Sequence, residues 1–158
     1  MLRFLRMGDD AAEAARTTME YVTAQLAKAA PLGPRGEKVV YDQGAVRLRA
    51  PVPRPNSIRD YISFETHASG AGQRQLPQAW YDVPVCYKGN PDSVIGPEDT
   101  ILWPSFTDLL DYELEYGIFI GKEGRNIRRE EADKYIAGYT IFNDVSARDI
   151  QRTEMSVG

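Results

Sequence analysis

Apolar residues recur at spacings of three and four near the start of the chain: Ala11, Ala15, Met19, Val22 and Leu26. That period gathers them on one stripe of an α-helix, so a helix is predicted over residues 10–30. Asp9 or Asp10 would cap its start, and Pro31 with Gly33 would end it. The period then falls to two. Lys38-Val39-Val40-Tyr41, the turn residues Asp42-Gln43-Gly44 and the alternating Val46-Arg47-Leu48-Arg49 predict a hairpin over residues 37–49. Helix and hairpin together make a small N-terminal region, residues 1–50.

Pro51, Pro53 and Pro55 disfavour both helix and central strand, and they mark a connector. Beyond it, aromatic residues become denser and short β-prone runs alternate with Gly/Pro turns. Residues 111–120 form the best strand candidate, ending in Gly121-Lys122-Glu123-Gly124. Residues 128–135 predict a short helix, and 139–142 a β-prone run into Asn143-Asp144. A mostly-β (α+β) domain with small helices is therefore expected over residues 51–158. No internal repeat or low-complexity tract interrupts it.

A chain of 158 residues, 42% hydrophobic and 27% charged, suits a globular domain with a sizeable core. The net charge of -4, with no basic block, gives no support for nucleic-acid or anionic-membrane partners. An anionic substrate stays compatible, because one bound divalent cation reverses the local potential. Cys86 is the only cysteine, which excludes an internal disulfide and a four-cysteine zinc cluster. The opening residues build no apolar signal-peptide core, and no apolar run is long enough to cross a bilayer. A cytoplasmic location is expected.

The sharpest local chemistry is Asp111-Tyr112-Glu113-Leu114-Glu115-Tyr116-Gly117. On a strand, positions i and i+2 share a face, so Glu113 and Glu115 point one way and Leu114 and Tyr116 the other. A bridging cation would relieve the repulsion between the two carboxylates. Oxygen-only ligands favour Mg²⁺, Ca²⁺ or Mn²⁺. The plain alternative is a solvated strand face. Asp144 follows a strand end, where sites are often built, or it serves an Asx-turn or helix cap with Asn143 and Ser146. Arg148 and Asp149 read equally as a surface ion pair.

Arg59-Asp60-Tyr61-Ile62-Ser63-Phe64-Glu65-Thr66-His67 contains the only histidine, so a multi-histidine metal cluster is excluded. His67 is either a general base or a histidine bonded to a carbonyl. Glu65 does not face it on a helix and is a poor candidate to orient it. Phosphate-loop and nucleophile-elbow signatures do not occur. A paired-carboxylate glycosidase needs carboxyls roughly 5–9 Å apart across a sugar, whereas neighbours on one strand should share a ligand.

Those two segments, followed by Tyr139-Thr140-Ile141-Phe142-Asn143-Asp144-Val145-Ser146-Ala147-Arg148-Asp149-Ile150-Gln151, together resemble the fumarylacetoacetate hydrolase family. The resemblance covers residues 51–158 well and the N-terminal part loosely. It implies a mixed β-sheet roll of the family's C-terminal-domain type, usually in a homodimer. It also implies Mg²⁺ (or Ca²⁺ or Mn²⁺) held by Asp60, Glu113, Glu115 and Asp144, with His67 as base and Arg148 and Gln151 contacting substrate.

Gly70 stands where one branch of the family has the glutamate partner of its histidine, so the resemblance is to the branch whose partner lies far downstream. Ile62 stands where the hydrolase itself has a substrate-contacting tyrosine. Relatives continue past the position of Gly158 with a lysine-bearing Gly-Pro segment, further strands and that glutamate. Residues 51–158 are therefore expected to be the first part of a longer catalytic domain.

The implied activity is metal-dependent hydrolysis of a carbon–carbon bond in a diketo or 2-oxo acid of the fumarylacetoacetate or acylpyruvate type. In it the cation polarises the substrate carbonyl, and His67 deprotonates a water that attacks it. The alternatives are a decarboxylase or isomerase of 2-oxo dicarboxylates in aromatic catabolism, or a non-catalytic metal-binding module.

Overall fold

The computed structural model describes residues 1–157. By residue contacts the chain divides into two compact units, Met1–Arg47 with Thr100–Gly158, and Leu48–Asp99.

In the first unit, the apolar stripe forms one long helix behind a short one. Helix α1 (Leu2–Arg6) runs into α2 (Gly8–Leu26). Gly8, at φ +58°, makes the break between them in a conformation that side chains with a Cβ resist. Ala11 is buried and Ala15 and Val22 half-buried, while Met19 and Leu26 stay exposed.

The predicted caps are corrected. Met7 is the N-cap residue, and no side chain bonds the helix start. Asp9 and Asp10 lie inside the first turn instead, where the helix dipole favours negative charge, and Asp9 accepts from Lys122 Nζ at 2.8 Å. The helix stops at Leu26, ahead of Pro31, as the amides of Lys28 and Ala29 both turn onto the Gln25 carbonyl.

The hairpin over 37–49 does not form. A single bridge, Leu32 to Lys38, and a 3-10 turn at Gln43–Ala45 take its place. Val39, Tyr41, Val46 and Leu48 are all exposed, so the alternating pattern has no surface to bury against.

The Leu48–Asp99 unit holds strand β1 (Asp60–Tyr61), helices α3 (Glu65–Ala68) and α4 (Gln78–Asp82), and strand β2 (Cys86–Tyr87). β1 and β2 are antiparallel, with Asp60 opposite Tyr87.

Back in the first unit, the predicted strand 111–120 is broken into β3 (Leu110–Asp111) and β4 (Leu114–Ile120). The break has a cause. β4 pairs antiparallel with β5 (Ile136–Asn143), whereas β3 pairs with β6 (Ser146–Ala147), so the chain changes partner at Tyr112 and Glu113. Gly117 faces Thr140 so closely that a Cβ there would come within 2.8 Å of the Thr140 methyl. The 128–135 helix is a 3-10 run, Arg129–Tyr135. Helix α5 (Arg148–Glu154) follows β6 directly.

Candidate metal centre

The change of partner builds the site. Where β4 and β5 end, Asn143 Oδ1 accepts the Glu113 amide at 3.2 Å, and the Asp144 amide donates to the Glu113 carbonyl at 3.1 Å. These bonds carry the ladder one step past Leu114 and Asn143 and bring Asp144 beside Glu113. Glu115 follows on the same face. Each of the three half-buried residues Glu113, Glu115 and Asp144 offers a carboxylate oxygen, and these oxygens lie within 4.8 Å of one another.

Within that separation each pair of charges repels by at least roughly 1 kcal/mol in a water-like dielectric and roughly 3.5 kcal/mol in a protein-like one. A hard divalent cation converts this repulsion into attraction, and an all-oxygen donor set matches Mg²⁺, Ca²⁺ or Mn²⁺ in kind. The donors therefore fit the expected metal.

A cation of the protein's own already touches the group. The backbone amide of Arg148 donates to the Leu109 carbonyl at 2.8 Å, which carries its side chain back over β3. Its Nε donates to Asp111 Oδ2 at 3.0 Å. Its Nη1 donates to the Glu113 carboxylate and, at 3.1 Å, to Gln151 Oε1. These carboxylates raise the Arg148 pKa further, Asp111 most and Glu113 next. In return, Arg148 and then the Tyr112 amide lower that of Asp111.

Two of the alternatives left open by the sequence are thereby corrected. Arg148 does not pair with Asp149 but with Asp111 and Glu113. Asp149 accepts the buried Thr107 hydroxyl at 2.5 Å, and that bond, ahead of its backbone contacts, lowers its pKa. Thr107 Oγ1 also accepts the Leu109 amide at 3.1 Å, which ties the start of α5 to the segment before β3. Asp144 is not the cap of α5, whose N-cap residue is Ala147 and lacks a side-chain bond. Instead, the Ser146 hydroxyl donates to the Asp144 carbonyl at 3.2 Å.

Asp111 is not among the site residues expected from the sequence. Its place at the head of the Asp-Tyr-Glu-Leu-Glu run was visible, but its partner lies 37 residues away.

Asp60 and His67 belong to the Leu48–Asp99 unit. Asp60 opens β1 and is half-buried. His67 sits in α3 with its side chain exposed. Glu65 accepts the Tyr81 hydroxyl at 2.5 Å, which raises the pKa of that phenol.

A sequence model described as fumarylacetoacetate (FAA) hydrolase C-terminal matches residues 56–158, well over half of the chain, and the chain belongs to this family. Among its relatives are a fumarylacetoacetate hydrolase domain-containing protein 2 homolog of Dictyostelium discoideum and the rat mitochondrial protein named oxaloacetate tautomerase Fahd2a. The first is 34% identical over 66% of this chain and 33% of that protein. The second is 32% identical over 96% of this chain and 42% of that protein. A solved fumarylacetoacetate hydrolase from the psychrophilic Exiguobacterium antarcticum matches 73% of this chain and 40% of that one, at 33% identity and a TM-score of 0.54.

The fold is thus the α+β fold of the family's C-terminal domain, as the resemblance implied. The chain spans about a third to two fifths of the length of these relatives. Among the described residues no helix is long and apolar enough to cross a membrane.

Proposed function

We propose that this chain forms the cation-holding part of an enzyme that promotes enolisation of a 2-oxo dicarboxylic acid, with keto–enol tautomerisation of an oxaloacetate-like acid as its reaction. The observation that carries this is the convergence of Glu113, Glu115 and Asp144 beside the guanidinium of Arg148. Asp60 is the fourth ligand that the sequence resemblance names. A cation bound there would draw electron density from the 2-oxo carbonyl and make the neighbouring C–H more acidic.

The chain's own groups account for the rest. Arg148 pairs with a substrate carboxylate through the two-pronged geometry of its guanidinium. Gln151, already bonded to Arg148, orients the same carboxylate. His67, as general base, takes the proton from carbon and, as its conjugate acid, returns it to the enolate oxygen. The printed names of the rat relative and of a Bacillus subtilis relative, each an oxaloacetate tautomerase, favour this reaction.

A second reading, hydrolysis of a carbon–carbon bond in an acylpyruvate-type acid, is favoured by the likeness to the Exiguobacterium hydrolase. It uses the same residues, with His67 taking the proton from water instead. The test follows oxaloacetate, an acylpyruvate and fumarylacetoacetate by NMR and enol absorbance, with Mg²⁺ and then with excess chelator. Chelator-sensitive equilibration of the enol, lost in His67→Ala, supports tautomerisation. Release of two acids moves the chain to the hydrolases, and release of carbon dioxide moves it to the decarboxylases. Folded, metal-loaded protein without turnover leaves a binding module.

A further inference from the structure

Arg148 donates to two carboxylates with different surroundings. Glu113 belongs to the group of oxygens that would hold a cation, so a metal and the guanidinium compete for it. Asp111 stands apart from that group. One of its oxygens accepts the Tyr112 amide at 2.9 Å and the other accepts Arg148 Nε at 3.0 Å, so its orientation is set from its own backbone. The β3–β6 ladder sets Asp111 opposite Ser146, two residues from Arg148. Acid and guanidinium therefore reach each other by backbone pairing and not by chance approach of two long side chains.

We propose that Asp111 is a positioning residue: it holds the Arg148 guanidinium by Nε, beside the Nη2 contact to the Tyr112 carbonyl, when Glu113 is committed to a cation, leaving Nη1 directed at a substrate carboxylate. This rests on the function proposed above for the same site. Without Asp111, Arg148 keeps its bond to the Glu113 carboxylate, so arginine and metal would contend for it directly.

The test is a double-mutant cycle on Mn²⁺ binding, read by calorimetry on the whole chain, followed by oxaloacetate kinetics. Arg148→Gln removes the competitor and should tighten Mn²⁺ binding about threefold to tenfold. Asp111→Asn should weaken Mn²⁺ binding in the native background but not in Arg148→Gln, because its effect passes through the arginine. With oxaloacetate, Asp111→Asn should raise KM about tenfold with kcat within about twofold, and Asp111→Glu should restore most of the loss.

An Asp111→Asn effect of equal size in both backgrounds would reduce Asp111 to a distant negative charge and overturn the proposal. So would weaker Mn²⁺ binding in Arg148→Gln. If Asp111→Asn does not fold, Arg148→Gln and Asp111→Glu still decide. A native chain that folds but binds no Mn²⁺ sinks the metal reading itself, a result distinct from failure of the cycle.

Discussion

The ribbon of β4 and β5 has two faces that reverse the usual order of burial. Glu115, Gly117 and Phe119, with Thr140 and Phe142 opposite, form the half-buried face, continuous with Glu113 and Asp144. Leu114, Tyr116, Ile118 and Ile120, with Tyr139 and Ile141, form the open one, and Leu114 and Ile141 are 75% and 79% exposed. Tyr116 and Tyr139 stack across the open face at 5.2 Å between ring centroids, as diagonal neighbours on a ladder do. Burial alone would favour the opposite arrangement, since fully burying a leucine or isoleucine side chain is worth roughly 1.5–3 kcal/mol. The acidic face is instead organised by directed bonds, those of Asn143, Asp144 and Arg148. Position there is set by hydrogen-bond geometry, and on the other face by the Tyr116–Tyr139 stack.

The largest expected effect breaks the acidic face. Loss of groups that merely support metal ligands typically weakens metal binding about 10- to 100-fold, so Glu115→Ala should exceed that range in a Mn²⁺ or Mg²⁺ titration. An unchanged affinity would remove Glu115 from the ligand set.

Next in size is the tie beneath that face. Thr107→Val leaves the Leu109 amide and Asp149 without the buried hydroxyl, and should cost about 1–3 kcal/mol in urea denaturation.

A smaller, pH-dependent effect belongs to Asp149, whose folded pKa is lowered by the Thr107 hydroxyl. A lowered carboxylate pKa stabilises the fold fully above the ordinary value of about 4, and that stability is lost as pH falls through the folded value. Thermal melts from neutral to acid pH should therefore fall more steeply for the native chain than for Asp149→Asn. Parallel curves would refute the assignment.

The smallest effect is expected on the open face. Ile141→Lys should change stability by no more than about 0.5 kcal/mol, the usual range for an exposed position. A loss well beyond that would show that the face is covered in solution.

Covalent spacing made part of this legible from the sequence alone. The stripe at period 3.6 located α2, and the two-residue period of a strand put Glu113 and Glu115 on one side. The order of the motifs pointed to the family, and with it to the family's C-terminal-domain fold. The expected hairpin over 37–49 is absent because alternation states only which side chains could share a face, not whether a surface exists to receive them. The role of Asp111 is hidden from the sequence for a related reason. Nothing local ties it to Arg148, and the pairing exists only because the strand partner changes from β6 to β5 at the point where Glu113 begins the site. The sequence determined which groups carry charge and which neighbours share a side. The tertiary structure decided which distant residues meet, because ladder register and the change of strand partner depend on contacts that only the folded chain makes.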